Sequence, residues 1–108
     1  MEVHRHGTTA VIQLSAQLVG GEQSVALADS IRNLLSTGVE HIVFDCQAVE
    51  LVNSTGLGML VSGLATLRSH GGRCTLAAVP PAMDALLRLT RLDSVFALAP
   101  TVNDALLR

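Results

Sequence analysis

The stretch from His41 to Cys46 contains Ile42-Val43-Phe44, a continuous apolar run of strand length, and Cys74 to Val79 repeats the pattern. Apolar runs of that length suit strands covered on both faces, as in a sheet with helices on each side. Each run therefore needs helical cover close by in the chain, and the intervening segments supply it. After Gly20-Gly21, from Glu22 onward, Val25, Ala28, Ile31, Leu34 and Leu35 recur at helical spacing, with Leu27 on the flank and Gly38 as the stop. Leu57, Leu60, Val61, Leu64 and Leu67 mark a second helical face that ends at Gly71-Gly72. Pro80-Pro81 opens a third helix, since proline suits a first turn, and its face is Met83, Leu86, Leu87 and Leu92.

Ahead of these, Glu2 to His6 and Thr9 to Leu14 read as two short strands around Gly7, the second at β-branched density. A short Val95-Phe96-Ala97-Leu98 strand and a helix after Pro100, carrying Val102, Ala105 and Leu106, finish the chain. The order ββαβαβαβα predicts an α/β fold, a mixed and mainly parallel sheet with about four helices and right-handed crossovers. It fits a single domain over residues 1–108.

Composition narrows the partners. Apolar residues make up 49% and charged ones 15%, with a mean hydropathy of +0.47. That balance argues against disorder and leaves apolar surface either for a partner or for ordinary buried helices. The net charge is −2, the seven Lys and Arg are scattered singly, and Phe44 and Phe96 are the only aromatics. Neither an electrostatic footprint for phosphates nor a stacking platform results, so nucleic acid is not an expected partner. The first ten residues, MEVHRHGTTA, lack a signal-peptide h-region. Apolar windows such as 57–67 are broken by Gly, Ser and Thr and fall short of the ~20 residues of a membrane span. A cytoplasmic protein without direct membrane insertion is expected, with Cys46 and Cys74 as reduced core thiols. His4 and His6 share a strand face, but no third ligand is in view and no metal is expected. His41, at a strand start, and His70, at a helix end, are expected to be exposed.

The chemistry concentrates between a strand and a helix, in Asn53-Ser54-Thr55-Gly56-Leu57-Gly58. Asn, Ser and Thr all serve as N-caps, and capping alone would satisfy the physics. A hydroxyl in a first helical turn can also accept a phosphoryl group, whose charge the helix end favours. Gly56 and Gly58 either keep the turn free of bulk for an approaching kinase or ease helix–strand packing. A dinucleotide loop fits poorly, because Val61 stands where a third glycine belongs; without a following Lys, a P-loop is excluded. No nucleophile–base pair is evident, so neither enzymatic activity nor a cofactor is expected.

LSAQL, IVFDCQAVELVNSTGLGMLV, GGRCTLAAV and LLRLTRLDSVF together resemble the STAS domain, in particular bacterial anti-sigma factor antagonists, over nearly the whole chain. The resemblance aligns Asp45 with a strand aspartate and Ser54, Gly56, Leu57 and Gly58 with the family motif. It puts Thr55 on the phosphoacceptor, with Ser54 as the fallback. It implies a switch that docks on a kinase-type anti-sigma factor, frees the sigma factor, and loses its grip once phosphorylated, until a phosphatase restores it. Asn53, Ser54, Gly56, Leu57, Gly58, Met59 if exposed, and Gln17 would then meet the partner, while Asp45 would support the loop. Two segments depart from the family pattern. Asn53 replaces an Asp, and Ala16-Gln17-Leu18-Val19 replaces Gly-Glu-Leu-Asp, removing two carboxylates that could contact a kinase. The same family also supplies non-catalytic subunits of lipid-transport ABC complexes, which contact the ATPase, and scaffolds of stress-sensing assemblies. Either a homodimer face or a hetero-interface would use the apolar surface.

Overall fold

The computed structural model describes all 108 residues, and its hydrogen bonds sort the strands into two sheets. The main sheet contains β1 (Val3–His6), β2 (Thr9–Gln13), β4 (His41–Asp45), β6 (Arg73–Ala77) and β7 (Ala97–Ala99), in the order β1-β2-β4-β6-β7. Only β1 runs antiparallel to its neighbour. The second sheet is a ribbon of β3 (Gln17–Leu18) and β5 (Leu51–Val52), paired in parallel. The helices are α1 (Glu22–Ser36), α2 (Ser54–Ser69), α3 (Pro81–Leu89) and α4 (Val102–Leu106), with a single 3-10 turn at Leu92–Ser94.

Strand alternation explains the continuous apolar runs. Ala10, Ile12, Ile42, Phe44, Cys74 and Leu76 belong to the larger core, with Leu27 and Ile31 of α1, Leu60 and Leu67 of α2, and Met83 and Leu87 of α3. The alternate residues Val11, Val43, Ala77 and Ala99 form a smaller core with Ala105 of α4. Three helices thus cover one face and a short helix covers part of the other, as the buried central strands require.

Several sequence expectations are corrected in detail. The α1 stripe is rotated: Leu27 and Ile31 are buried, one helical turn apart, while Val25 is 64% exposed. Leu92 leaves α3, which ends at Leu89, because Arg91 turns left-handed (φ 61°) and starts the 3-10 turn. The last strand begins at Ala97, and Phe96 packs into the core just ahead of it. Residues 17–18 and 51–52, outside every strand expected from the sequence, form the ribbon; two residues are too few to show a period.

His41 is buried, contrary to expectation, at 3% exposure. Its Nε2 lies 2.8 Å from Thr75 Oγ1 and 3.5 Å from Arg73 Nη1, and Arg73 Nη2 donates to the Arg108 carbonyl at 3.0 Å. Burial first, and then the Arg73 charge, lower its pKa below the ordinary 6.5. The unfolded chain therefore takes up a proton before the folded one does, and stability is full above pH 6.5 and falls as pH drops from there through the folded value. Urea midpoints at pH 7.5 and pH 5 are expected to show this loss, and His41→Gln to flatten part of it. Burial also pushes the Cys46 and Cys74 thiols up to about 12, which keeps both unreactive at neutral pH. No helix is long and apolar enough to cross a membrane.

Candidate functional site

The strand-to-helix connection is built by a chain of local bonds. At the end of β4, Asp45 Oδ1 accepts from the Gln47 amide at 3.1 Å and turns the backbone. The Glu50 and Leu51 amides then donate to the Ala16 carbonyl at 2.7 and 2.9 Å, and the Asn53 amide donates to the Leu18 carbonyl at 3.2 Å. Asn53 has extended backbone (φ −113°, ψ 179°) and forms the N-cap of α2: its Oδ1 accepts from the Gly56 amide at 2.8 Å, and its carbonyl accepts from the Leu57 amide at 3.0 Å. Ser54 and Thr55 are the first two helical residues, and both are exposed. Because Asn53 caps alone, their hydroxyls are left for other chemistry. Asn53→Ala is expected to cost about 1 kcal/mol in thermal or urea unfolding, the usual worth of such a cap.

The two motif glycines differ. A Cβ on Gly56 would run into the Leu18 carbonyl, whereas a Cβ on Gly58 would meet nothing within 4 Å. Gly56 therefore serves packing against the ribbon, and of the two only Gly58 opens onto free space. Leu57 and Met59 are 3% and 5% exposed. This corrects Leu57 as an expected partner contact, and the exposure on which a contact by Met59 depends is not met: both side chains belong to the core and support the site from beneath. The exposed surface consists of Asn53, Ser54, Thr55 and Gly58, with Gln17 on the adjoining ribbon. Asp45 acts at the start of the connection. Its side chain shapes the turn at 45–47 and makes no bond to residues 53–55.

The opposite wall is the β3–α1 connection. Gln23 holds it on both sides, with Nε2 donating to the Gln17 carbonyl at 2.6 Å and Oε1 accepting from the Val19 amide at 3.0 Å. Gly20 (φ +83°) is buried directly against Thr55. From Thr55 a groove of about 390 Å³ runs between α1 and α2, past Ser24, Gly58, Met59 and Ser62. On the other side of the site, β5 and α3 enclose an apolar groove of about 290 Å³, rimmed by Leu51 (52% exposed) and Leu89 (81% exposed). His4 and His6 lie exposed on the edge strand, His4 Nε2 being 3.5 Å from Glu2 Oε2, and no three His, Cys, Asp or Glu converge to hold a metal.

Gly20, Leu18 and Gln23 escaped sequence reasoning as parts of this site. The Gly20-Gly21 doublet was the available signal, but it reads equally well as a simple break before a helix.

A family model for the STAS domain matches residues 1–105. Solved structures share the fold over almost the full chain. An anti-sigma factor antagonist from Mycobacterium paratuberculosis is 30% identical with a TM-score of 0.80, covering 97% of this chain and 88% of that one. The Bacillus cell fate determinant SpoIIAA in its phosphorylated form is 19% identical with a TM-score of 0.75, covering 97% and 95%. A sulfate transporter family protein from Wolinella succinogenes is 11% identical with a TM-score of 0.74, covering 93% and 83%.

Proposed function

The chain belongs to the STAS domain family, and on that premise we propose that it is a cytoplasmic anti-sigma factor antagonist, a binding protein rather than a catalyst. It docks on a serine/threonine-kinase anti-sigma factor through the entry of α2 and is released when Thr55 is phosphorylated. The observation that carries this reading is the division of labour at residues 53–55: Asn53 caps the helix and Thr55 presents a hydroxyl that the fold does not use. Support comes from the likeness to an anti-sigma factor antagonist and to SpoIIAA captured in phosphorylated form.

In the transfer, the Thr55 oxygen bonds to the γ-phosphorus of the kinase's ATP, the bond from that phosphorus to ADP breaks, and the hydroxyl proton passes to a base on the kinase. The product carries about −1.5 to −2 charges at neutral pH. The first turn of α2 holds no acidic residue of its own and tolerates that charge, but an interface formed on Ser54, Thr55 and Gly58 does not. A phosphatase restores the hydroxyl by hydrolysis.

A second reading is a STAS subunit held permanently by an ABC ATPase or a stress-signalling scaffold. The apolar groove beside Leu51 and Leu89 favours it, because such a surface suits lasting burial. Affinity capture with tagged wild type and Thr55→Glu, followed by mass spectrometry, separates the two. A kinase-type anti-sigma factor retained by wild type and lost with the substitution supports the switch; an ABC ATPase or scaffold retained by both replaces it with the adaptor.

A further inference from the structure

The glycine doublet before α1 has two unlike members. Gly21 (φ +65°) faces open space, with nothing within 4 Å of the position its Cβ would take. Gly20 (φ +83°) is buried, and a Cβ there would overlap the Thr55 γ-methyl and lie 3.3 Å from Thr55 Cβ and 3.7 Å from Ser24 Oγ. The Thr55 methyl thus fills the place that a side chain at position 20 would take.

We propose that Gly20 is the positioning residue of the Thr55 acceptor: its bare backbone seats the γ-methyl, fixes χ1, and so holds Oγ1 in one direction at the protein surface. The proposal rests on the reading of Thr55 as the phosphoacceptor and adds what makes threonine the fitting residue there. A helical threonine ordinarily divides between two χ1 rotamers, because its Oγ1 can bond a backbone carbonyl one turn back. At Thr55 only the methyl has a seat, and the three substituents of Cβ are staggered, so placing one places the others. The seat itself is held firmly, since Gln23 bonds the backbone at Gln17 and Val19 just before Gly20. Serine has no methyl and would leave its oxygen free to rotate, and Ser54, one residue earlier, does not reach the seat.

The first test needs no kinase. Three-bond couplings from Thr55 Cγ2 to the backbone nitrogen and carbonyl carbon report its χ1 in the unmodified protein. One rotamer is expected in wild type and in Gly21→Ala, which also puts a side chain at a positive φ but does not touch Thr55. Gly20→Ala is expected to drive Thr55 out of that rotamer while the amide spectrum of the main sheet stays in place. The second test follows phosphate incorporation from ATP by the kinase captured with wild type. Thr55→Ser should be modified about threefold more slowly, as expected when one productive rotamer becomes three. Gly20→Ala should slow wild type by about tenfold or more, because misplacing a reacting atom by about 1 Å can cost up to about a hundredfold. Added to Thr55→Ser, the same alanine should change the rate little, since no methyl remains to be displaced. Couplings averaged over rotamers in wild type, or an equal effect of Gly20→Ala and Gly21→Ala, would overturn the seat whatever the fate of the switch. A fixed rotamer in a protein that no captured kinase modifies would instead overturn the acceptor reading, and with it the role of Gly20.

Discussion

Gly56→Ala is expected to destabilise the domain by about 2–3 kcal/mol, near the upper end of what overpacking costs. For a domain of this length that lowers Tm by on the order of 10–20 °C. The obstacle is a backbone carbonyl, that of Leu18, which also accepts the Asn53 amide. A flexible side chain could rotate away from the new methyl, but this carbonyl can move only if β3 is pushed off β5 or α2 is tilted away from the ribbon. Two residues along, Gly58→Ala should do the reverse. Its Cβ would stand in open space inside a helix, where replacing glycine by alanine typically gains about 0.5–1 kcal/mol. Thermal and urea melts of the two variants side by side provide the check. A similar response from both would mean that helix propensity, and not the contact with Leu18, governs the motif.

Thr55→Glu should separate binding from folding. A carboxylate at the second helical position of α2 adds a favourable charge near the helix N-terminus, worth about 0.3–1 kcal/mol, in a turn that has no acidic residue. The melt should hold or rise. Docking on the proposed kinase partner would have to strip water from that carboxylate with no cation on this face to replace it. The effective cost of burying an unpaired ion is several kcal/mol, so affinity should fall by roughly two orders of magnitude or more. Titration calorimetry with the captured partner, paired with a melt of the same sample, measures both. Weaker binding together with a lower Tm would point to damaged structure in place of a mimicked phosphate. Unchanged affinity would remove the switch altogether.

The architecture was legible where the chain is long enough to show a period. Ile42-Val43-Phe44 implied a doubly covered strand, and its residues divide between the two cores as that pattern requires. Asn53 before an apolar helical repeat was similarly readable, because caps and periodicity are local properties. The rest depends on contacts between distant parts of the chain. Val25 lies within the helical repeat yet faces solvent, since the tilt of α1 on the sheet decides which side of a broad apolar stripe is used. The place of Met59 beside the motif leaves its exposure open; it is core, because α1 packs over that side of α2. The partnership of Gly56 with the Leu18 carbonyl, and of Gly20 with the Thr55 methyl, joins segments more than thirty residues apart. No spacing rule could have revealed either.

The ribbon of β3 and β5 shares no ladder with the five-stranded sheet. Gln17, at one margin of the site, and the approach to Asn53 are therefore tied to each other through the ribbon, and Leu18 anchors that ribbon in the larger core. A partner that grips either segment must hold both or part them. Insertions in the 19–21 connection and in the 46–50 turn would then act alike, each loosening the rim that the ribbon holds together.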